Sequence, residues 1–278
     1  MTHRCGRLNK DVMIYTEMTK KAIRLCFEAH RDQLDRGGLP YVFHPFHVAE
    51  QMPDELTTCA ALLHDVVEDT PYSLEDLRGM GFDERVLHAL ELLTHDERVP
   101  YIEYVKRAAT DPIARQVKLA DLRHNRDLSR LETVDEKALR RAEKYDEAIR
   151  LLERMREMDN KAIVRAFIEE VFNAWDVSNL DKFMREDYRQ HNPGVEDGRA
   201  GFVKFCEFFF SKHPHMEIVH LIGDGDLVAV FFKCTVDDGV NKVVDIYRLQ
   251  DGKIAEHWDV VEHGIDPDAK GASGNGLF

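Results

Sequence analysis

This chain of 278 residues lacks the cysteine pattern that a disulfide framework requires and the long apolar run that a membrane span requires. Its five cysteines are an odd number without a close Cys-x-x-Cys pair, which argues against a disulfide framework and favours reduced thiols. No apolar run approaches the length that crosses a bilayer, and the first residues lack the apolar stretch of a signal peptide. We therefore expect a cytoplasmic protein without a membrane partner.

Positive charge is also scarce, because 38 Lys and Arg residues stand against 52 Asp and Glu residues, a net charge of −14. This excess of negative charge disfavours nonspecific binding to nucleic acid, so no nucleic-acid partner is expected. It also repels anionic small molecules, which local basic residues or a bound cation would have to attract. The length exceeds that of a typical single domain, and 44% of the residues are apolar, so two packed domains are expected.

The most informative polar motif lies in the otherwise apolar stretch from Ala61 to Thr70, where Asp65 follows His64 directly and Asp69 follows Glu68. In a helix, His64 and Glu68 would share one face, as would Asp65 and Asp69, one turn apart. This would stack a metal-binding layer beneath a pair of carboxylates. A folding core gains little from four such polar groups on a buried helix, so the motif indicates chemistry.

Partners for this motif lie on both sides of it. Upstream, His30 ends an apolar helical stretch; downstream, Asp121 lies in an amphipathic segment, with Asn125 one turn later. Two histidines and two aspartates from three helices would form a mixed nitrogen and oxygen site, which suits Mn²⁺, Fe²⁺ or Zn²⁺ better than Mg²⁺ or Ca²⁺. His44, directly before Pro45, is interpreted mainly as a structural residue at a helix start, with a ligand role as the alternative.

In order and content these motifs resemble the HD-domain metal-dependent phosphohydrolases, most closely the SpoT/RelA-type branch that hydrolyses the alarmone (p)ppGpp. The resemblance covers about the first 150 residues and is carried by Ala29-His30, Gln33, Gly38, Pro40-Tyr41, His44-Pro45, Ala61 to Thr70 and Lys118-Leu119-Ala120-Asp121. It implies a divalent metal, most readily Mn²⁺, held by His30, His64, Asp65 and Asp121. It also implies that Glu68 and Asp69 orient and deprotonate the attacking water; a solvated helix end is the alternative for this pair.

The chemistry of phosphate hydrolysis fits these roles. A bound cation strongly lowers the pKa of a water molecule, and a carboxylate within hydrogen-bond reach can then take its proton. The cation also offsets charge on the phosphoryl oxygens, which is the larger part of catalysis in phosphoryl transfer.

The substrate contacts depart in part from the resemblance. In the alarmone hydrolases an Arg-Lys pair holds the nucleotide base, but here Asp35 stands at the arginine position and only Arg36 is basic. Asn125 matches a position that touches the nucleotide sugar. Arg141 and Tyr145 match positions that reach phosphate and base, with an ordinary helix surface as the alternative.

Hydrophobic spacing predicts that residues 1–156 form an all-α helical bundle. Ser73 and Asp76 have the spacing of a capping box and should start a short helix. Apolar residues between Asp135 and Met155 recur at steps of three and four, which predicts a long amphipathic helix. The pattern changes near Met155 to Asn160, so we place the domain boundary between residues 156 and 157, before another amphipathic helix that includes Trp175.

Residues 157–278 are predicted to form an α+β domain in which helices precede an antiparallel meander that curves into a cone. Strands are expected at 228–236, 243–249 and 254–261, with turns at 223–226 and 250–253. This half resembles the SnoaL-like branch of the nuclear transport factor 2 superfamily over roughly residues 160–278. The residues that carry the resemblance are Tyr188 to Gly194, Asp197-Gly198, Asp245 to Leu249, Asp251 to Asp259 and Asn275 to Phe278.

Asp245 alternates with apolar residues on one strand face of this domain. A carboxylate that faces an apolar interior is costly unless paired, so Asp245 is either paired with a neighbour or an acid/base group. The resemblance implies the acid/base role that SnoaL-like cyclases give this position. His257 and Asp259 share the pleat set opposite to Trp258, and His191 is expected to approach them; a polar cluster that closes an inert cone is the alternative.

Together these features predict a metal-dependent nucleotide (pyro)phosphohydrolase that removes the 3′-pyrophosphate of (p)ppGpp-like alarmones. The second domain would bind a second small ligand or dimerise the chain, and a homodimer is expected. One alternative is a bifunctional or regulatory protein whose cone performs acid/base chemistry on a small carbonyl compound, or senses it. Because of Asp35, an unrelated nucleotide is a further alternative as substrate.

Overall fold

The computed structural model describes residues 15–131 and 133–278. The chain divides into two compact units, of which the first ends at Leu152 and the second runs from Glu153 to Phe278. The expected architecture, a helical bundle followed by an α+β domain, is confirmed. The expected boundary between residues 156 and 157 stays a prediction, because the two units divide within a continuous helix.

Helices build the first unit around one core. They are α1 (Glu17–Ala29), α2 (Phe43–Ala49), α3 (Glu55–Leu63), α4 (Val66–Asp69), α5 (Leu74–Gly79), α6 (Glu84–Leu93), α7 (Tyr101–Ala108), α8 (Pro112–Arg126), a 3-10 helix (Leu128–Arg130) and the start of α9 (Glu136–Phe167). Every residue of α3 from Thr57 to Leu63 is buried, as expected of a helix that is apolar on all sides. The apolar faces of α1, α2, α6 and α8 complete this core.

The central helix ends where the polar motif begins. Helix α3 stops at Leu63, His64 and Asp65 form a turn, and α4 starts at Val66. Both turn residues keep right-handed helical backbone angles, and the main-chain N–H of Asp69 donates to the carbonyl oxygen of Asp65 at 2.8 Å. The most buried helix of the unit therefore carries the motif at its end and anchors it rigidly.

Side-chain caps fix where helices start. The expected capping box is present, because Ser73 Oγ accepts from the main-chain N–H of Asp76 and the Asp76 carboxylate accepts from that of Ser73. Asp111 caps α8 by accepting from the main-chain N–H of Ala114 at 2.8 Å.

Helix α9 runs without a break from Glu136 to Phe167, so the two amphipathic helices expected on either side of Met155 to Asn160 are joined into one. Neither glycine nor proline occurs between its ends, so no residue disrupts the main-chain hydrogen-bond ladder. The buried Asn160 donates its side-chain N–H to the carbonyl oxygen of Gly225 at 3.0 Å, which ties the helix to a turn of the second unit. A π-helical segment, Ile168–Asn173, follows α9.

The second unit contains a mixed five-stranded sheet. Its elements are α10 (Leu180–Phe183), β1 (Met184–Gln190), α11 (Gly198–Phe210), β2 (His215–Asp224), β3 (Leu227–Val236), β4 (Gly239–Gln250) and β5 (Lys253–Glu262). The strand order is β1-β5-β4-β3-β2, with β1 parallel to β5 and the other pairs antiparallel. The three expected strands are confirmed as β3, β4 and β5. The sheet is not purely antiparallel as expected, because β1 pairs in parallel with β5.

One face of this sheet carries the core of the second unit. Along β4, Val243, Asp245, Tyr247 and Leu249 are buried, which confirms the expected alternation. The end of α9, the π-helical segment and α11 contribute the rest of this core. The carboxylate of Asp245 consequently lies in a largely apolar interior.

Four cysteines, Cys26, Cys59, Cys206 and Cys234, are buried as free thiols, and Cys5 lies outside the described residues. Burial raises the pKa of the Cys26, Cys59 and Cys206 thiols to about 12. Within residues 15–131 and 133–278, no helix combines the length and apolar character required to span a membrane.

Candidate active site

A cavity of about 450 Å³ in the first unit gathers most of the residues that sequence reasoning selected. The selected residues on its walls are Arg36, His64, Asp65, Glu68, Asp69, Asp121, Asn125, Arg141 and Tyr145. They come from four separate parts of the first unit. The fold therefore brings together, in one place, polar groups that the apolar core does not require.

Three donor atoms of metal-ligand type meet at this cavity. His44, His64 and Asp121 each offer one such atom, and these atoms all lie within 4.8 Å of one another. Asp65 adjoins them, because its Oδ2 lies 3.0 Å from His64 Nε2 and 3.5 Å from His44 Nε2. Two imidazoles and two carboxylates form a donor set that Mn²⁺, Fe²⁺ and Zn²⁺ accept.

The hydrogen bonding of His64 fits a metal ligand. Its Nδ1 lies 2.7 Å from the carbonyl oxygen of Ala61, whereas its buried Nε2 has no hydrogen-bond partner of good geometry among the described residues. A buried ring nitrogen without a partner is costly, and ligating histidines commonly bind a backbone carbonyl through the other nitrogen. The residues present therefore fit a divalent cation.

Neighbouring charges keep the two carboxylates of this group ionised. Burial alone would raise the pKa of Asp121, but Lys118, whose Nζ lies 2.9 Å away, and the adjacent imidazoles hold it well below its ordinary value. Burial likewise acts to raise the pKa of Asp65, but His64 and His44 lower it to about 2. Two ionised carboxylates, one buried and one partly buried, attract a cation.

His44 lies beside the candidate ligands, in addition to the expected His30. His44 Nε2 lies 3.2 Å from Asp121 Oδ1, so this residue does more than begin a helix. His30 is fully buried, lies outside the cavity lining and contacts Gln33 Oε1 through Nδ1 at 2.6 Å, while its Nε2 has no hydrogen-bond partner among the described residues. Because the buried His64 Nε2 also has no partner among the described residues, the ligand role expected for His30 stays a prediction, and His44 is an additional candidate.

Glu68 and Asp69 line the cavity beside these groups. The main-chain N–H of His95 donates to Glu68 Oε2 at 3.0 Å, which fixes this carboxylate. Burial raises the pKa of both Glu68 and Asp69, and the negative charge of Asp65 adds to the rise. A raised pKa makes a carboxylate a better proton acceptor in general base catalysis.

Basic side chains cluster at the same cavity. Arg36 and Arg141 line it, and no described carboxylate forms an ion pair with either. Lys144 Nζ lies 4.0 Å from the centre of the Tyr101 ring, and burial together with the charges of Lys118, Arg36 and Arg141 lowers the pKa of Lys144. Arg36, Arg141 and Lys144 repel one another and have no acidic partner among the described residues, which is a feature of anion-binding sites in a protein of negative net charge.

The two remaining predicted substrate residues have different surroundings. Asn125 donates its side-chain N–H to Asp121 Oδ1, so it is engaged with a candidate ligand. The ring of Tyr145 lies 6.4 Å from that of Tyr101 and offers an aromatic surface beside the cations.

Asp35 is engaged by the protein itself. Its Oδ1 accepts from the main-chain N–H groups of Gly37 and Leu39 at 2.8 and 2.9 Å, and its Oδ2 lies 3.0 Å from Arg130 Nη2. Although burial acts in the opposite direction, these partners lower the pKa of Asp35. With both oxygens occupied, Asp35 anchors its loop and does not replace the basic residue as a base-binding group.

Sequence reasoning missed several residues on the cavity wall. Tyr41 and Lys118 lie in motifs that carried the resemblance but had no role assigned, and Tyr41 donates its hydroxyl to Asp65 Oδ2 at 2.6 Å. His95 begins a second His-Asp pair, which was a usable signal. Arg130 lies 95 positions from Asp35, and nothing in the sequence connects the two.

The second unit has a cavity of its own, about 280 Å³ in volume, with mostly aromatic and aliphatic walls. Asp245, His257 and Asp259 line it, as the sequence suggested. Asp245 Oδ2 accepts from the Tyr247 hydroxyl at 2.6 Å, and Asp245 Oδ1 lies 3.4 Å from His257 Nε2.

His191 does not join this group, which corrects the expectation. Its ring stacks on Trp258 at 4.7 Å and its Nε2 lies 2.8 Å from Glu256 Oε1, both of which alternate with His257 along β5. Gln190 occupies the place expected for His191, because its Oε1 lies 2.9 Å from His257 Nδ1.

Known proteins resemble the two units separately. Residues 164–257 match the family model described as a SnoaL-like domain. The N-terminal region is similar to enzymes of alarmone metabolism. Over 129 residues the chain is 33% identical to guanosine-3′,5′-bis(diphosphate) 3′-pyrophosphohydrolase MESH1 of Danio rerio. The aligned region covers 41% of this chain and 71% of that protein.

Longer relatives and a solved structure show the same similarity. The chain is 35% identical over 121 residues to the probable GTP pyrophosphokinase of Mycobacterium leprae, covering 39% of this chain but only 15% of that protein. A solved structure of a metazoan ortholog of SpoT that hydrolyses ppGpp has 26% identity and a TM-score of 0.42, covering 49% of this chain and 84% of that one.

Proposed function

The chain belongs to the guanosine-3′,5′-bis(diphosphate) 3′-pyrophosphohydrolase family, and from this premise we propose that its first unit removes the 3′-pyrophosphate of (p)ppGpp-like nucleotides with a divalent metal. The observation that carries the proposal is the convergence of His44, His64 and Asp121 beside Glu68 in one cavity.

Four residues would hold the metal in this proposal: His30, His64, Asp65 and Asp121, with His44 beside the two carboxylates. Their mixed donor set favours Mn²⁺ over Mg²⁺ or Ca²⁺. A divalent cation bound there supplies neutralisation of phosphoryl charge and acidifies a water molecule. Lys118 and Tyr41 keep the two carboxylates in place through contacts of 2.9 and 2.6 Å.

Glu68 is the proposed general base. Its carboxylate is fixed by the main-chain N–H of His95 and lines the same cavity as the metal ligands. Asp69 lies next to it, and the side-chain N–H of Gln33 donates to the Asp69 carbonyl oxygen at 3.0 Å. We assign Glu68 the proton transfer from water and Asp69 the orientation of that water.

The cationic part of the cavity would bind the substrate. Arg36 and Arg141 would pair with its phosphate oxygens, because neither has an acidic partner among the described residues. The ring of Tyr145 would stack on the base, and Asn125 would contact the sugar while it holds Asp121.

A nucleotide panel tests this function. The purified chain would be incubated with ppGpp, pppGpp, GTP and nucleotides that lack a 3′-pyrophosphate, each with Mn²⁺ or with EDTA. We expect Mn²⁺-dependent release of pyrophosphate only from the 3′-pyrophosphorylated compounds. Asp65→Asn should abolish this release, whereas the exposed Asp32→Asn should leave it unchanged. Absence of Mn²⁺-dependent hydrolysis of every nucleotide would contradict the proposal.

A second candidate function concerns the cavity of the second unit. Among the described residues, the buried His257 Nε2 has no hydrogen-bond partner of good geometry, and it lies 3.4 Å from the Asp245 carboxylate in a mostly apolar cavity. We propose that this pair binds a small carbonyl compound and exchanges a proton with it, or senses it. Screening carbonyl compounds by their effect on thermal unfolding, in the parent and in Asp245→Asn, tests this: stabilisation of both proteins alike would contradict it.

We also propose that the chain forms a homodimer through its sheet. Val244, Ile246 and Val260 are exposed on neighbouring strands, which leaves an apolar strip on the face opposite the core. Light scattering after size exclusion would show a dimer for the parent chain and a monomer for Val260→Lys; a monomeric parent would contradict the proposal.

A further inference from the structure

Two buried side chains in the cavity of the second unit have hydrogen-bonding capacity that the described residues leave unused. Tyr188 is 2% exposed and His257 is 9% exposed, and both line the cavity. The Tyr188 hydroxyl accepts from the side-chain N–H of Gln190 at 2.8 Å, but no described group accepts its own proton. His257 Nε2 has no partner of good geometry in the same part of the chain. Because buried polar groups are normally paired, both atoms indicate a polar ligand.

The side chain of Gln190 fixes the direction of the neighbouring hydrogen bonds. Its Oε1 lies 2.9 Å from the main-chain nitrogen of His191 and 3.0 Å from that of Asn192, and main-chain N–H groups only donate. Oε1 is therefore the acceptor of this amide and Nε2 is its donor, which settles that Tyr188 accepts. His257 Nδ1 lies 2.9 Å from the same Oε1, so this nitrogen must carry a proton and donate.

The Tyr188 hydroxyl consequently keeps its own proton for a ligand. Since the N–H of Gln190 faces a lone pair of the hydroxyl oxygen, the O–H bond points away from Gln190. Burial, together with the charges of Asp245 and Asp259, raises the pKa of Tyr188, so the proton stays on the oxygen. Tyr247, the other tyrosine among the described lining residues, differs because its hydroxyl already donates to Asp245 Oδ2 at 2.6 Å.

Aromatic rings form the wall that continues from Tyr188. The centre of its ring lies 6.2 Å from that of Phe202, which lies 5.7 Å from that of Phe172. The ring of Phe209 lies 6.1 Å from Phe172 and stacks on Phe205 at 5.2 Å. All five line the cavity of about 280 Å³. Such walls suit a flat apolar body, and a single donor beside them would fix its orientation.

We propose that the Tyr188 hydroxyl binds the carbonyl oxygen of the ligand in this cavity, and that Gln190 is a positioning residue that keeps the hydroxyl proton turned toward that oxygen. The inference rests on the second proposed function, a carbonyl compound beside Asp245 and His257. A ketone oxygen accepts and does not donate, so it pairs with the proton of Tyr188 and not with the carboxylate oxygens of Asp245. The aromatic wall then holds the rest of the molecule.

Two matched compounds test the contact with the carbonyl oxygen. 1-Indanone and indane share a flat bicyclic skeleton, in which indane has a CH₂ group in place of the carbonyl. NMR titration of the full chain should give a lower dissociation constant for 1-indanone than for indane. In Tyr188→Phe this preference should fall about 2- to 10-fold, the effect of one neutral hydrogen bond. Tyr72→Phe, a matched control in the first unit, should keep the preference of the parent.

Infrared difference spectroscopy of 1-indanone with a ¹³C-labelled carbonyl reads the hydrogen bond directly. A donor on the carbonyl oxygen lowers its stretching frequency, so bound 1-indanone should absorb at a lower frequency in the parent than in Tyr188→Phe. Gln190→Glu keeps an oxygen for His257 but offers Tyr188 an acceptor in place of the N–H donor, which turns the hydroxyl proton away from the ligand. It should therefore lose the frequency shift although the hydroxyl is present. Circular dichroism would establish that each variant is folded.

These measurements separate the inference from the proposed function. A frequency shift that is lost in Tyr188→Phe but retained, with unchanged affinity, in Asp245→Asn would support Tyr188 as the group that binds the carbonyl and contradict the role proposed for Asp245. A parent chain that binds 1-indanone no more tightly than indane would overturn the inference. So would a carbonyl frequency that is the same in the parent and in Tyr188→Phe.

Discussion

Glu68 is the residue whose replacement separates chemistry from metal binding most cleanly. Glu68→Gln keeps the size of the side chain and an oxygen for the main-chain N–H of His95, but it cannot accept a proton. We expect kcat for pyrophosphate release to fall about 100- to 10,000-fold, the range for loss of a general base. Steady-state kinetics with saturating Mn²⁺ would measure this, and calorimetry should give an unchanged Mn²⁺ affinity.

The matched control for this prediction is Glu91→Gln. Glu91 is a largely exposed glutamate whose side chain lies 3.9 Å from His88, away from the cavity lining. Its replacement should leave kcat unchanged. If Glu68→Gln retained more than half of the parent rate, proton transfer would have to be assigned to Asp69 or to another group.

In the second unit, the hydroxyl of Tyr247 is expected to contribute to stability through one buried contact. Tyr247→Phe would leave Asp245 Oδ2 without the donor that now lies at 2.6 Å. The free energy of unfolding should fall by about 1–3 kcal/mol, the cost of an unsatisfied buried polar group. Both tryptophans, Trp175 and Trp258, belong to the second unit, so tryptophan fluorescence in urea reports on that unit alone.

A comparable substitution in the first unit serves as its control. Tyr72→Phe removes a hydroxyl that makes no hydrogen bond within the described residues, and it should not move the fluorescence transition. A midpoint for Tyr247→Phe equal to that of the parent chain would mean that the Tyr247 hydroxyl does not stabilise Asp245.

Residues of the site were predictable where they share one short sequence motif. They were not predictable where their grouping depends on the folded structure. His64, Asp65 and Glu68 lie in one short motif, and the structure places all three on one cavity. His30 follows the end of α1 and His44 lies in the first turn of α2, and the sequence alone gave no distance from either to Asp121. Only the folded arrangement shows that His44 Nε2 lies 3.2 Å from Asp121 Oδ1.

At the scale of elements, the start of α8 should affect stability without affecting chemistry. Asp111→Ala removes the carboxylate that accepts from the main-chain N–H of Ala114 at 2.8 Å. The free energy of unfolding should decrease by about 1 kcal/mol, a typical loss for a helix cap. Urea unfolding followed by circular dichroism would measure it, while kcat well below the transition should stay unchanged, because Asp111 lies outside the cavity lining.

Asp111→Ser is the conservative counterpart, because a serine hydroxyl caps as well as a carboxylate. It should retain most of the stability that Asp111→Ala loses. Equal destabilisation by both substitutions would show that the carboxylate at this position acts through something other than the cap.

Helices and strands with a clear sequence pattern of their own were predicted well, whereas those that depend on tertiary packing were not. The capping box at Ser73 and the alternating strands β3 to β5 have such a pattern. Strand β1 has only Met184 and Tyr188 buried among its seven residues, so its sequence shows no alternation. The change of composition near Asn160 reflects different surroundings along one helix, and not a break in it.

At the scale of the whole chain, two separate cores carry two chemically different cavities. The cavity of the first unit is lined by ionised groups of both signs, whereas that of the second is mostly aromatic and aliphatic, with the two carboxylates of Asp245 and Asp259. The first suits a highly charged nucleotide and the second a small, weakly polar compound. Each core also contains two buried thiols, which allow both to be examined in one experiment.

Thiol reactivity should therefore report the integrity of both cores together. Burial raises the pKa of Cys26 and Cys59 in the first unit and of Cys206 in the second to about 12, and that of Cys234 to about 11. Because the thiolate is the reactive form, raised pKa values leave very little of it near neutral pH. With a chromogenic disulfide reagent, we expect at most one of the five thiols to react rapidly in the native chain.

The pH dependence of the slow thiol reactions tests whether the raised thiol pKa values are the reason for the low reactivity. Between about pH 7 and pH 9 the thiolate fraction of a group with a pKa near 12 rises about tenfold for each pH unit, so the slow rates should rise in the same proportion if the native state itself reacts. All five thiols should react rapidly once guanidinium chloride unfolds the chain. Two or more thiols that react natively as fast as free cysteine would show that at least one of the two cores is open to solvent, contrary to the burial on which both cavities depend.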